Sequence, residues 1–281
     1  MQDNKVDPIT YEVVKHKIWQ ILWEGRATME LVSGSVVVTE AKEVLYGLYD
    51  RDGTIVSSSA GLLLHILGGE QMIKNIINWY SQEPGIYEGD VFFFNDAFVG
   101  GLHNPDQACI APVFYKQERI GWLLALFHTP EVGAIEPAGM TPNATCAFHE
   151  GIRLPGVKLM EKGRERRDIF QLFKSMVRDP GGIILDCKAR IASLNVGIVR
   201  VLELVDRYGL DILESIFKLM IEDAEKGARR KLLELPDGTW REASYLDHIG
   251  KKYQRFRIQV ALIKEGDHLT VDFTGSWESV P

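Results

Sequence analysis

The sequence predicts an α/β protein of the mixed α+β kind, with mixed sheets, a long-helix region and a C-terminal β hairpin. Three observations lead there. Apolar residues recur at helical spacing near the N-terminus and again over 185–208. Short apolar runs bounded by turn residues recur between 44 and 128. Strict alternation returns in Arg255-Phe256-Arg257-Ile258-Gln259-Val260.

Taken in order, Asp7-Pro8 suits a helix start, because Asp can cap and Pro fits the first helical position. Ile9, Val13, Ile18, Ile21 and Leu22 form the stripe that follows, with Gly25 a weak spot. Val36 to Val38 reads as a strand. Val44–Asp50 and Thr54–Ser58 flank Arg51-Asp52-Gly53, a hairpin signal in which Asp-Gly supplies the positive φ of a tight turn. Met72, Ile73, Ile76, Ile77 and Tyr80 predict a helix over 68–80. Glu88-Gly89-Asp90 is a turn, Val91–Phe94 a short buried strand, and Ala108–Tyr115 and Ile120–His128 two more strands. Thr129–Gly151 is a loop long enough to suggest a functional role. Ile169, Leu172, Phe173 and Met176 stripe one helix; Ile191, Leu194, Ile198, Val201, Leu202 and Val205 stripe the next, which Gly209 ends. A further helix runs to Leu233, and Leu235-Pro236-Asp237-Gly238 turns into the final β region, where Leu269–Phe273 pairs back. We read one unit, 1–281, with a metal-site α/β region over about 1–160, a helical region over 161–235 and a β region over 236–281.

With 281 residues, 46% of them hydrophobic and 25% charged, the chain has an ordinary globular profile and ample core. Its net charge of -7 argues against a nucleic-acid partner, which would need a basic face; Lys162 to Arg167 reads as a solvated loop or helix start. Cys109, Cys146 and Cys187 are odd in number and widely spaced, so free thiols in a reducing compartment are expected. The polar start, Met1 to Asp7, does not resemble a signal peptide, and no apolar run is long enough for a membrane span. The expected location is the cytoplasm.

The chemistry gathers around a Gly-rich loop, Asn95 to Asp106, that follows a buried strand. His103 and Asp106 are three positions apart, and His128 closes the apolar run Ile120 to Phe127. Two imidazoles and one carboxylate suit Mn, Fe or Zn and leave coordination positions open. The residues alone leave a hydrogen-bonded surface pair as the equal alternative. Asp96 and Glu131 are candidate carboxylates for the far imidazole nitrogens, with turn capping the alternative for Asp96. Glu136 reads as exposed, and Glu150, which precedes Gly151 and Arg153, as an ion-pair residue with a catalytic role the alternative. His149 is a candidate fourth ligand or proton shuttle. His65, in an apolar run, reads as a satisfied core histidine; His16, His248 and His268 read as surface. Asn195 is expected to bond a loop or helix if buried. No GxxxxGK[ST], GxGxxG or GxSxG motif is present, so no ATP site is recognisable.

Several segments carry a family likeness: Asp7-Pro8-Ile9-Thr10, Leu48-Tyr49-Asp50-Arg51-Asp52-Gly53, Gly89-Asp90-Val91 with Asn95-Asp96, Gly100-Gly101-Leu102-His103-Asn104-Pro105-Asp106, 150–159, 186–195 and Asp272-Phe273-Thr274-Gly275. In that order they resemble the hydantoinase B/oxoprolinase family, which includes the metal-carrying subunits of acetone and acetophenone carboxylases. The resemblance implies a divalent metal, Zn or Mn, on His103, Asp106 and His128. It implies a kinase-like hydantoinase A-type partner that handles ATP and Mg and, if the chain, which stops at Pro281 well short of the usual family length, is a natural split subunit, a second half-subunit. The chain would then be the N-terminal half, as a natural split subunit or a fragment. Two activities follow from the family: ATP-dependent carboxylation of a ketone through phosphorylated enol and carbonate species, or ATP-dependent opening of a hydantoin, 5-oxoproline or lactam ring. A non-catalytic scaffold with a structural metal is the third possibility. Ala97 stands for the family's usual proline, Thr129 for a histidine and Glu131 for an aspartate. The segment from Ser33 to Glu43 lacks the Lys-Glu-Arg-x-Asp pattern of the hydrolases, which favours the carboxylase branch. Glu131, Glu136 and His149 are then the rim residues that steer substrate or protons.

Overall fold

The computed structural model describes residues 6–137, 139–249 and 252–278. The polar start over 1–5, on which the expectation about a leader partly rests, lies outside them, as does the side chain of His248. Helix α1 (Pro8–Val32) begins as expected: Asp7 Oδ1 accepts from the Ile9 and Thr10 amides. Its inward stripe is shifted from the expected one. Val14, Ile18, Ile21, Leu22, Gly25 and Met29 are buried, whereas Ile9 and Val13 are exposed. The expected strand at Val36 to Val38 is instead a helical turn, α2 (Val36–Thr39). The Ser35 carbonyl accepts from both Val38 and Thr39, so the segment satisfies its backbone locally.

Strands β1 (Val44–Asp50), β2 (Ile55–Ala60), β3 (Val91–Phe94), β4 (Asp106–Tyr115), β5 (Glu118–His128), β6 (Pro155–Glu161) and β7 (Arg164–Glu165) form one sheet in the order β2-β1-β5-β4-β3-β6-β7. Every neighbouring pair is antiparallel. With β5 and β2 already pairing its two edges, β1 offers no place for a strand at 36–38. Alternation along the strands divides the core. Tyr46, Phe93, Cys109, Leu123, Ala125 and Phe127 join the cluster of the long helices, while Leu45, Phe92, Ile110, Trp122, Leu124 and Leu126 join that of α3 (Ile66–Tyr80). The central strands are therefore buried on both faces.

The long-helix face is built by α1, α4 (Arg167–Met176), α5 (Pro180–Tyr208) and α6 (Leu210–Leu233). Tyr46 sits between glycines of two helices. A Cβ added at Gly25 would stand 2.3 Å from its ring, and one at Gly197 would stand 2.1 Å from its hydroxyl, which donates to the Ser193 carbonyl. On α5, Leu194, Val201 and Val205 are buried as expected, Ile191, Ile198 and Leu202 are half-buried, and Asn195 is exposed and needs no internal partner. Arg190 is fully buried: its guanidinium lies 3.6 Å from the Phe127 ring and donates to the Phe127 carbonyl and Thr129 Oγ1. On α4 the buried pair is Phe170 and Phe173, with Leu172 and Met176 exposed. The C-terminal β region has one strand more than the expected hairpin: β8 (Gly238–Ile249), β9 (Lys252–Glu265) and β10 (His268–Asp272) pair antiparallel in the order β10-β9-β8.

Candidate metal centre

Asp106 opens β4 and His128 closes β5, and the two are register partners across the antiparallel pair. Directly opposed residues project to the same face with Cβ atoms about 5 Å apart. The ladder itself therefore delivers two donors to one point. Their neighbours, Gln107 and Phe127, are also partners and face the other way, where Arg190 and Thr129 hold them. His103 arrives through a tight turn closed by the Asp106 amide donating to the His103 carbonyl at 2.9 Å.

The loop before it is stitched from both sides. The buried Asn95 amide donates to the carbonyls of Asn104 and Ile152 and accepts from Leu154, and Asn104 donates to the Glu150 carbonyl. Asn75 on α3 holds the Val99 carbonyl, and a Cβ at Gly68 would stand 2.0 Å from the Gly100 carbonyl. The loop thus lies directly on α3, and glycine is what lets the two backbones approach.

The result is a carboxylate ringed by imidazoles. His103 Nε2 lies 3.2 Å from Asp106 Oδ2, while His128 Nδ1 and His65 Nε2 lie 3.4 and 3.3 Å from Oδ1. Asp106 is 1% exposed, yet neither oxygen receives a hydrogen bond in good geometry. Donor atoms of His103, Asp106 and His128 all lie within 4.8 Å of one another. A buried carboxylate with unspent lone pairs among imidazoles fits a divalent cation, since nitrogen and oxygen donors of this kind suit Zn or Mn. Burial works to raise the Asp106 carboxyl, but the imidazoles of His128, His65 and His103 outweigh it, so the group lies below the usual carboxylate range. His103 is pushed down, first by burial and then by the neighbouring imidazoles, against the pull of Asp106. It is thereby held in the neutral form that coordinates. Beside His103 a cavity of about 370 Å³ is lined by Asn104, Pro105, Met140, Thr141 and Glu150.

A model of the hydantoinase B/oxoprolinase family matches residues 7–281. The chain belongs to this family. It is 36% identical over 279 residues to the acetophenone carboxylase delta subunit of Aromatoleum aromaticum, covering 99% of this chain and 40% of that one. It is 30% identical to the caprolactamase subunit beta of Pseudomonas jessenii, covering 95% and 46%. The crystal structure of the ATP-dependent caprolactamase from Pseudomonas jessenii superimposes with a TM-score of 0.89 at 29% identity, over 95% of this chain and 46% of that one. The nucleotide-free acetone carboxylase structure shares the fold, with a TM-score of 0.91 at 24% identity over 96% of this chain and 37% of that one. The chain spans less than half the length of the curated relatives it matches.

In this hydantoinase B-type chain the other candidates make their contacts away from the three donors. Glu131 accepts from the Gly133 amide and pairs with Arg178 at 3.2 Å. His149 Nδ1 accepts from the Thr145 amide, in the turn Ala147–Glu150. Asp96 caps its own turn by accepting from the Phe98 amide, and it is Asp96 rather than Glu150 that faces Arg153, at 3.7 Å. Glu136 is half-buried and bonded to Asn143.

Two residues at the centre escaped the sequence reading. His65 was expected to be a satisfied core residue; it is buried, but against Asp106. Its signal was its isolation, as the one polar residue in the run Leu62 to Leu67. Glu43 lies 4.0 Å from His128 Nδ1, because the Val44↔Phe127 pairing brings the residue before β1 beside the end of β5.

Proposed function

We propose that this chain is the metal-bearing part of an ATP-dependent enzyme that carboxylates a ketone of the acetone or acetophenone class. The observation that carries the reading is the convergence of His103, Asp106 and His128 within 4.8 Å, beside a cavity. Greater identity to a carboxylase subunit than to the hydantoinase or caprolactamase subunits favours this branch. The bound divalent ion, Zn or Mn, supplies Lewis acidity toward a carbonyl oxygen.

The chain's own residues do the rest. Asp106 and His128 fix the donor positions through the sheet, and His103, with its side chain 38% exposed, faces the reactant side. Pro105 and Met140 give the cavity an apolar wall that takes the hydrocarbon part of a substrate and limits water. His149, next in the chain to the cavity-lining Glu150, is assigned the proton-transfer role through Nε2, its Nδ1 accepting from the Thr145 amide. Glu131 is assigned a bracing role, holding Arg178 against the carbonyls of Ala134 and Ile135. ATP and Mg are assigned to a kinase-like hydantoinase A-type subunit, since no phosphate-binding motif is present in this chain.

All three cysteines are free thiols, two of them buried, which suits a cytoplasmic setting. Among the described residues no helix is long and apolar enough to cross a membrane.

A second reading, ATP-dependent opening of a cyclic amide, is supported by the likeness to the caprolactamase structure. The assay uses the chain assembled with its partners, after metal content has been measured by elemental analysis. ATP turnover that needs both bicarbonate and a ketone supports carboxylation. Turnover with a lactam, hydantoin or 5-oxoproline and no bicarbonate replaces it with ring opening. Normal turnover by a His103→Ala protein that has lost its metal would reduce the site to a structural one.

A further inference from the structure

His65 is 2% exposed, its Nε2 lies 3.3 Å from Asp106 Oδ1, and its Nδ1 meets no hydrogen-bond partner. Burying an imidazole with one bare nitrogen costs free energy that an apolar side chain of equal volume would not. The helix that follows is brought unusually close: Cβ atoms added at Gly68 and Gly69 would stand 2.0 Å from the Gly100 carbonyl and from the Tyr49 hydroxyl. In the turn Leu63–His65, His65 alone goes inward, while Leu63 and Leu64 are 74% and 52% exposed. The local structure therefore delivers this one side chain to Asp106.

Among the described residues the donor atoms able to share an ion belong to His103, Asp106 and His128, and His65 is not among them. We propose that His65 is a positioning residue: with a cation bound, its Nε2–H would close onto Asp106 Oδ1, 3.3 Å away here, and so fix the rotation of the carboxylate that binds the ion. The proposal rests on the metal reading above. Histidine and carboxylate partners of this kind outside the ligand set orient ligands and tune affinity in metal sites.

The test uses the full chain with Zn²⁺ and Mn²⁺ alone as probes. His65→Leu keeps the volume and removes the donor; His65→Gln keeps a donor near the Nε2 position. Calorimetric titration should show metal affinity reduced about 10–100-fold in His65→Leu and close to wild type in His65→Gln. Equal affinity in wild type and His65→Leu, or equal loss in both variants, overturns the positioning role. Should His65→Leu not fold, imidazole ¹⁵N spectra of the Zn²⁺-loaded wild type decide. His103 and His128 should each show a metal-bound nitrogen, and His65 Nε2 should remain protonated. A metal-bound or proton-free His65 Nε2 overturns the proposal. A wild-type chain that takes up neither ion removes the metal reading itself, a result distinct from those.

Discussion

Gly25→Ala should destabilise the protein even though it improves the helix. Two opposing terms set the sign. Replacing glycine inside α1 gains about 1 kcal/mol of intrinsic helix propensity. Against that, the new methyl would stand 2.3, 2.4 and 2.6 Å from three atoms of the Tyr46 ring. The ring cannot step aside. Tyr46 is fully buried, its hydroxyl donates to the Ser193 carbonyl at 2.8 Å, and Gly197 closes the opposite side. Overpacking a fixed site costs about 1–3 kcal/mol, and contacts this short belong at the upper end. The net expectation is a loss of about 1–2 kcal/mol. Urea denaturation followed by circular dichroism measures it, and a second background isolates the cause. With Tyr46→Leu the obstructing ring is gone, so adding Gly25→Ala should be neutral or stabilising, a coupling of about 2 kcal/mol. Equal effects in both backgrounds, or a Gly25→Ala protein more stable than wild type, would refute the steric argument.

Asp106→Asn should abolish stoichiometric Zn²⁺ or Mn²⁺ in elemental analysis while the chain stays folded by circular dichroism, because it removes the one buried charge in the donor set. In the wild type, free metal at 100 times its dissociation constant should raise stability by about 2.7 kcal/mol, read as a higher melting temperature that a chelator reverses. His103 gives a pH signature in the metal-free chain. Its folded-state pKa is lowered from 6.5, so the unfolded chain takes the proton first, and its contribution to stability is intact above that pH and lost as pH falls below it. Melting temperatures should accordingly fall less steeply below pH 6.5 in His103→Gln than in wild type. Arg190→Met should cost about 3 kcal/mol in denaturant titration, since it strips donors from Thr129 and the Phe127 carbonyl and leaves the buried Asp186 without its nearby cation.

What could be read from the sequence, and what could not, follows from whether each signal was local. The β1–β2 turn was legible because Asp52-Gly53 announces its own backbone, and α5 because its stripe runs through many turns. Strand β6 was not. Its Val157 and Leu159 alternate correctly, but Lys158 between them reads as a surface residue. In the fold Lys158 is buried at 2.8 Å from Asp90, a pairing formed across 68 positions of chain. Val36 to Val38 misled in the opposite direction. Three β-branched residues favour a strand, yet β1, the strand they lead into, is already paired on both edges. At the site, His103, Asp106 and His128 could be named as candidates because each marks the end of a recognisable strand or turn, and the family resemblance singled out the same three. The contacts of Glu131 and Asp96 could not, because they depend on Arg178 reaching one and a local turn using the other. His65 was hidden by its leucine neighbours: an apolar run says that a residue is inside, and nothing about what it faces there.

The pairing of Asp106 with His128 also says where the protein will accept change. These two side chains owe their separation to the rungs of a hairpin whose far tip is the turn at Lys116 and Gln117, both in left-handed conformations. Ten residues of β4 carry that tip about 30 Å from the open end. An epitope or a tether for surface capture grafted there would leave the chemistry at the other extremity undisturbed, whereas lengthening either strand by one residue would turn one of the two side chains toward the opposite layer.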